Sequence, residues 1–384
     1  MKYIHESNAW PQFTWEHKKI EPLLGEVRNA QGRLIGRMEA FGFTSRQEAV
    51  LETLTLEVVK SSEIEGEFLN PEQVRSSIAR KLGMDIGGLV PSDRHVDGVV
   101  EMMLDATQKF DKKLTRERLF GWHACLFPTG RNGMQKIIVG AWRDDRHGHM
   151  RVVSGPVGRE RVHFEAPEAK RLKGEMKEFL KWFNSPSTGK KGELDPVLKS
   201  AVAHLWFVTL HPFEDGNGRI ARAIADMQLA RADGSRERFY SMSVQIRQER
   251  SAYYDILEKI QKSTNAAKQG INITPWLEWY AGCLHRALKA TESTLDNVFK
   301  KARFWQSQSA ESINKRQEKM INKLFEGFEG KLTSSKWAKI TKCSQDTALR
   351  DILDLVEKGI LVKDLSGGRS TSYSFKNPQT HTVT

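Results

Sequence analysis

The feature that most constrains this fold is the break in pattern at residues 194–222. Over 194–210 an apolar stripe through Val197, Leu198, Ala201, Leu205 and Val208 recurs at helical spacing. Pro212 forbids that helix from continuing. The run His211-Pro-Phe-Glu-Asp-Gly-Asn-Gly-Arg-Ile-Ala-Arg222 follows at once. Gly216, Asn217 and Gly218 are small or tolerate positive φ, so they suit a tight loop. Arg219 and Arg222 lie three apart, on one face of the helix that begins there. The chain must therefore bury one helix, turn sharply, and open a second helix at the turn.

The same run carries chemistry. A neutral imidazole at His211 can take a proton from a hydroxyl near pH 7. Phe213 reads as an apolar anchor for the loop. Asp215, just before the small residues, suits Mg²⁺, which takes one or two carboxylates plus phosphate oxygens. The loop lets several backbone N–H groups converge on an anion, and the helix N-terminus adds its dipole. Arg219 and Arg222 can grip phosphates with forked donors. Asp-Gly-Asn-Gly alone marks only a turn. About eight specified residues in one window are a different matter.

This run matches His-Pro-Phe-x-(Asp/Glu)-Gly-Asn-Gly-Arg-x-x-Arg without a departure, and so resembles the signature of the Fic family. Fic proteins are helical enzymes, most of which transfer AMP from ATP to a Ser, Thr or Tyr hydroxyl of a target protein. The resemblance implies His211 as general base and Asp215 as the Mg²⁺ ligand. It implies that Gly216, Asn217 and Gly218 cradle the phosphates, and that Arg219 and Arg222 bind the β- and γ-phosphates.

A second run carries the resemblance upstream. Residues 44–66 read as a helix, with Thr44 or Ser45 as its cap and Leu54, Val58, Ser61 and Glu65 along one face. A carboxylate on such a stripe is costly unless paired. On its own, Glu65 fits a salt bridge to any nearby arginine, with Gly66 ending the helix. Ser61-Ser62-Glu63-Ile64-Glu65-Gly66 also resembles the family's inhibitory motif, (Ser/Thr)-x-x-x-Glu-(Gly/Asn), placed ahead of the core. That implies Ser61, Glu65 and Gly66 as an inhibitory set, with Glu65 paired to Arg222 in the place the γ-phosphate needs. The resemblance also adds Ser62, Glu65 and Tyr254 to the nucleotide-binding residues. For Tyr253 and Tyr254, core packing stays open beside a place in the adenine pocket.

Asn70-Pro71-Glu72-Gln73 reads as the next helix start, with a cap, a first-turn proline and a capping-box Gln. Residues 150–153 and 161–164 are short β-like runs around Gly155-Pro156 and Gly158, which reads as a hairpin. In Fic proteins an equivalent flap registers the target by strand addition, which makes Val152, Val153, Val162 and His163 the target-binding candidates. Gly140-Ala141-Trp142-Arg143 resembles the Gly-x-x-Arg that precedes such a flap. Trp10-Pro11-x-Phe13-x-Trp15 resembles the start of multidomain Fic proteins with a helical N-terminal domain and a C-terminal winged helix.

Composition sets the outer limits. The 384 residues contain 39% hydrophobic and 28% charged side chains, which is ordinary for a globular chain. No apolar stretch approaches the roughly 18 residues of a membrane span. The start lacks a signal-peptide core, and three scattered cysteines form no metal spacing or disulfide framework. A cytoplasmic protein with reduced thiols is expected, with no membrane partner. Net charge is +12, and residues 300–384 hold 16 Lys and Arg against 9 Asp and Glu. There, helices over about 312–326, 333–342 and 345–358 precede strands at Ile360-Leu361-Val362 and Tyr373-Ser374-Phe375 around Gly367-Gly368. That is the order of a winged helix-turn-helix.

The expected fold is mainly α: a helical domain over 1–100, a Fic-type core over 101–300 with a hairpin flap, and a winged helix over 301–384. The leading reading is an autoinhibited protein adenylyltransferase using MgATP, able to modify itself. AMP removal or transfer of another phosphate-bearing group stays open on the same core. So does a nucleotide-sensing DNA-binding regulator, through Lys336, Lys339, Lys342 and Arg350, against which Asp346, Asp351 and Asp354 weigh. A homodimer also stays open.

Overall fold

The computed structural model describes residues 3–376 apart from 41, 85, 87, 147, 157–158, 188–192, 263–265, 268–269, 308–312, 326–327, 329 and 365–370. Gly158, Gly367 and Gly368 thus lie outside the described residues. The chain divides into two compact units, Met1–Glu292 and Ser293–Thr384. Both are mainly helical.

In chain order the first unit holds a 3₁₀ turn (Ile4–Glu6), β1 (Phe13–Thr14), α1 (His17–Glu39), α2 (Phe43–Ile64), α3 (Pro71–Lys81), α4 (Arg94–Gln108) and α5 (Arg116–Leu126). Then come β2 (Arg131–Asn132), β3 (Gln135–Lys136), β4 (Arg151–Ser154), β5 (Arg161–Glu165), α6 (Ala169–Phe183), α7 (Pro196–Leu210) and α8 (Asn217–Asp233). It closes with α9 (Met242–Gln248), α10 (Arg250–Gln261), β6 (Ala266–Ala267), β7 (Gly270–Asn272) and α11 (Thr274–Ser307), which crosses the boundary.

The apolar stripe becomes α7, and all 15 of its residues are buried. Asp195 caps it by accepting the N–H groups of Val197 and Leu198, and Pro196 takes the first position, where a missing N–H is harmless. α8 packs along α7, with α4, α2 and α5 on its other sides. The N-terminal aromatics complete this core: Trp10 and Phe13 stand edge-on to Trp206, at 6.2 and 5.9 Å between ring centroids. β1 pairs in parallel with β7, Phe13 opposite Ile271.

Two expected helix starts need correction. α2 begins at Phe43 with Gly42 as its N-cap, so Thr44 and Ser45 fall inside the first turn. The extended backbone at Gly42 already supplies the break that a capping side chain would mark. Asn70 does cap α3, accepting from Glu72 N at 2.9 Å and Gln73 N at 3.2 Å. Gln73, however, accepts the Asp93 N–H at 3.4 Å, drawn away from Asn70 by the start of α4.

α2 is held by a buried carboxylate. Glu57 Oε2 accepts from Ser241 Oγ at 2.6 Å and Ser243 N at 3.1 Å, at the N-terminus of α9. That ties α2 to the start of α9, about two turns before α2 ends.

The second unit contains α12 (Lys315–Phe325), α13 (Ser334–Thr341), α14 (Gln345–Glu357) and the antiparallel pair β8 (Leu361–Lys363) and β9 (Tyr373–Phe375). Met320, Ile321, Trp337, Ile352, Leu355 and Tyr373 form its core. Thr333 and Ser344 cap α13 and α14. Asp351 is buried, with Arg316 at 2.7 Å and Asn314 at 3.0 Å. Asp354 accepts from Gln317 and Lys358, both at 2.6 Å. Leu349 and Leu353, one turn apart on α14, are exposed.

Candidate active site

His211 closes α7 in the left-handed conformation, φ 47° and ψ 57°. A residue with a Cβ rarely sits there, so its surroundings must hold it. Its N–H donates to Phe207 O at 3.0 Å. Arg143 does the rest. Its Nε donates to the His211 carbonyl at 2.8 Å, and its Nη2 donates to the Pro167 carbonyl. Its own N–H donates to the Pro212 carbonyl at 2.9 Å. Asp145, at 3.0 Å, balances its charge. The arginine of Gly140-x-x-Arg143 is therefore a staple on the His-Pro turn.

The imidazole has a defined tautomer. Nδ1 lies 3.3 Å from the Val208 carbonyl, which only accepts, so Nδ1 carries the proton and Nε2 keeps its lone pair. Burial pulls the His211 pKa down to about 4, against the opposing effect of the Val208 bond and the charges of Glu65 and Asp215. At pH 7 this is a neutral base.

The loop after it is pinned at every step. Phe213 is fully buried and stacks on His123, 4.2 Å between centroids at 8°. The Asn217 amide accepts from Phe213 N at 3.0 Å and donates to Phe213 O at 2.8 Å, so this side chain closes the loop. Of the three small residues only Gly216 takes a positive φ, at 79°. Gly218 is small for another reason: a Cβ there would lie 2.1 Å from Glu65 Oε1. Asp215 Oδ1 accepts from Gly216 N, and Oδ2 from Asn132 Nδ2 on β2, each at 2.5 Å.

The two arginines are occupied. Arg222, almost wholly buried, pairs through Nη2 with Glu65 Oε1 at 2.8 Å. It also donates through Nε to Ser61 Oγ at 2.9 Å and through Nη2 to Ser61 O at 2.8 Å. Burial works to raise the Glu65 pKa, but the charge and hydrogen bond of Arg222, with Arg219 and His211, bring it below the usual carboxylate range. Glu65 caps the end of α2, and Gly66 turns away at φ 85°. The Glu65 side chain stays 30% exposed, enough to open into the cavity beside it. Arg219 Nη1 pairs with Glu67 Oε2 at 2.6 Å, and the other Glu67 oxygen meets His95 Nε2 on α4. Neither Glu67, His95 nor Asn132 figures among the sequence candidates. Only Glu67 had a local signal, a second carboxylate just past Gly66.

A cavity of about 490 Å³ opens beside Glu65 and His211. Glu65, His211, Gly218 and Tyr254 line it, with Val152, Val153, His163 and Phe164 of the flap. The β4–β5 register shifts between Val152 and Val153, which leaves His163 as the extra residue on β5. Val162, opposite Val153, is not in the lining. His163 Nδ1 lies 2.6 Å from Glu258 Oε2 and ties the flap to α10. The Tyr254 hydroxyl is 3.4 Å from Glu65 Oε2. Tyr253 is buried with its hydroxyl 2.9 Å from His204 Nε2, and it also lines the cavity. Ser62 is fully buried outside the lining, and its carbonyl takes the N–H groups of Glu65 and Glu67.

These parts define a class: a helical domain with a neutral histidine beside a helix N-terminus and two buried arginines, each paired with a carboxylate from the end of α2 or just past it. Residues 113–229 match the Fic/DOC family, and residues 3–84 match a domain of unknown function, DUF4172. The protein adenylyltransferase Fic of Drosophila melanogaster is 35% identical over 121 residues, which are 32% of this chain and 20% of the relative. That of Drosophila mojavensis is also 35% identical over 121 residues, 32% of this chain and 19% of the relative. The match spans about a fifth of the length of these curated relatives. A Fic family protein from Desulfovibrio desulfuricans G20 shares the fold, with a TM-score of 0.54 at 20% identity over 95% of this chain and 98% of that one. A Fic domain containing signaling protein from Bacteroides thetaiotaomicron VPI-5482 gives 0.50 at 21% identity, over 74% and 97%. The chain carries a Fic/DOC family domain.

Proposed function

We propose that the first unit is an autoinhibited protein adenylyltransferase, moving AMP from MgATP to a Ser, Thr or Tyr hydroxyl of a target protein, its own chain included. The observation that carries this is Glu65 seated on Arg222 over Gly218, in the cavity of His211. A carboxylate lies where a phosphate would meet the first turn of α8 and its arginines. With Glu65 withdrawn, the polyphosphate takes that place, on the N–H groups of residues 217 and 218, Arg219 and Arg222. The acceptor hydroxyl gives its proton to His211 Nε2 as its oxygen bonds to the α-phosphorus. The bond from that phosphorus to the pyrophosphate breaks, and pyrophosphate leaves with its charge held by the arginines.

A lone carboxylate next to an anion cradle fits Mg²⁺, which draws most of its ligands from phosphates and water. Asp215 would hold it, and the metal would neutralise phosphate charge. Asn132 and the Gly216 N–H orient that carboxylate. Val152 and Val153 offer the flap edge to the target backbone, with His163 anchoring the flap and Tyr254 flanking the nucleotide. The test is labelled ATP with the Glu65→Gly protein, followed by mass spectrometry of the chain and of lysate. No AMP on either would sink the reading. Because Glu65 lines the cavity, the same carboxylate can aim a water at an AMP ester. Wild-type protein incubated with the labelled product tests that removal.

In this reading residues 1–100 form the regulatory helical region, 101–300 the catalytic core, and 301–384 a winged helix-turn-helix. The exposed Leu349 and Leu353 on α14 favour a protein partner for that module over DNA. A mobility-shift assay on random duplex at low salt is expected to show no complex, and a salt-dependent shift would reverse the preference.

A further inference from the structure

We propose that Glu67 is a second anion mimic, holding Arg219 from a polyphosphate as Glu65 holds Arg222, with His95 fixing its carboxylate. This rests on the reading of the site as a nucleotide site. It adds that the brake has two teeth, one for each arginine.

The geometry is local and complete. The Glu65 and Glu67 N–H groups both donate to the Ser62 carbonyl, at 3.0 and 3.1 Å. Gly66 between them turns in the left-handed region, which presents both carboxylates to the first turn of α8. Glu65 takes Arg222 at 2.8 Å, and Glu67 takes Arg219 at 2.6 Å. Two guanidinium charges are thus matched by two carboxylates, and little attraction is left for a triphosphate. Removing Glu65 frees only one of them.

Glu67 is also held from behind. One oxygen bonds Arg219 and the other meets His95, so the carboxylate cannot rotate off the arginine without losing both. Burial works against the Glu67 charge, yet the His95 contact and the charges of Arg219 and His95 keep it ionised. Arg219 is held in place independently: its guanidinium lies 5.3 Å over the Phe127 ring. Its Nε is buried and has no hydrogen-bond partner among the described residues. That unused donor would serve an anion arriving in place of Glu67. The Glu67 side chain is 33% exposed, so it has room to leave.

The experiment uses the full chain with His211→Ala throughout, so that binding is read without turnover. Calorimetry with MgATP and with AMP is run on Glu65→Gly, on Glu67→Gln and on the double variant. Glu67→Gln added to Glu65→Gly is expected to tighten MgATP roughly tenfold. AMP lacks the β- and γ-phosphates, so its affinity should stay put. MgATP affinity that is unchanged or weaker overturns the proposal. So does an equal change for AMP, which would mark a purely structural residue. If the Glu67 variant melts early, His95→Ala takes its place, with a smaller gain for MgATP alone expected and no gain counting against the idea. A double variant that binds MgATP more tightly yet, with His211 restored, transfers no AMP would sink the adenylyltransferase reading and leave the latch standing.

Discussion

Residues 211–218 and residues 61–67 meet at the same arginines but are held in opposite ways. In the first stretch nearly every polar group has a fixed partner. Arg143 staples His211 and Pro212, Asn217 closes on Phe213, and Glu214 Oε2 accepts the Ile138 N–H at 2.7 Å. His123 Nε2 lies 3.2 Å from the Asp215 carbonyl. The second stretch reaches the site through two partly exposed carboxylates on a glycine turn. A left-handed histidine needs an over-determined frame. A brake needs the reverse, contacts strong enough to seat it and few enough to release it. On the proposed function, the difference separates what the site must keep during a reaction from what must leave before one.

The largest effect tests the rigid half. His211→Ala in the Glu65→Gly background removes the base and is expected to lower transfer about 10³-fold, with nucleotide affinity nearly intact. Residual transfer within tenfold would mean that another group takes the proton. The removable half comes next. Glu65→Gly alone should raise transfer by about 10- to 100-fold, less than a fully buried pair would give because Glu65 is partly solvated. An unchanged rate would break the comparison, since the carboxylate would then be no brake.

Arg143→Ala sharpens it from the structural side. The loss of its bonds to His211 and Pro167 leaves buried carbonyls without donors, and about 2–3 kcal/mol of stability should go with it. Denaturant melts of the whole chain would show this. The matching change at the brake, Glu65→Gly, should cost less, because Arg222 keeps its bonds to Ser61 Oγ and O. Equal losses from the two variants would mean that the 61–67 segment is as much a part of the frame as the loop.

What could be read beforehand follows the same division. His211, Asp215, Arg219 and Arg222 stand within twelve residues, and a pattern so concentrated is visible in one dimension. Glu65 was legible because a charge on an apolar helix face demands a partner. The supports were not. The place of Arg143 in Gly-x-x-Arg was visible, but not its action through the carbonyls of residues 167 and 211; His95 acts through a carboxylate on another segment, and Asn132 through Asp215. Backbone acceptors carry no sequence signature, and long-range pairs depend on packing. Asn217 shows the limit at its sharpest. Its place in the motif was plain, but its side chain serves the loop and leaves the anion to the backbone. At Gly42 an extended glycine opens the helix without the capping hydroxyl that would announce it.

The smallest expected effect is a flat line, and it tests whether the frame survives once the brake is gone. Burial sets the His211 pKa at about 4, so the imidazole is already deprotonated at pH 6 and at pH 8. Transfer by Glu65→Gly should therefore vary less than twofold between those values, provided the acceptor does not itself titrate. It should fall only as the pH approaches 4. Unfolding must be separated from this, because His123 and His204 are also buried and neutral, at about 4 and about 3. An unfolded chain protonates both from about 6.5 downward. Their contribution is fully present above that pH and is lost as the pH falls toward 4 and 3. Each then removes about 1.4 kcal/mol per pH unit, so melts at pH 5 must accompany the rates. A rate that halves near pH 6.5 while the protein stays folded would mean that releasing Glu65 re-solvates His211. The loop and the brake would then be one mobile unit, and the contrast between them would hold only for the inhibited state.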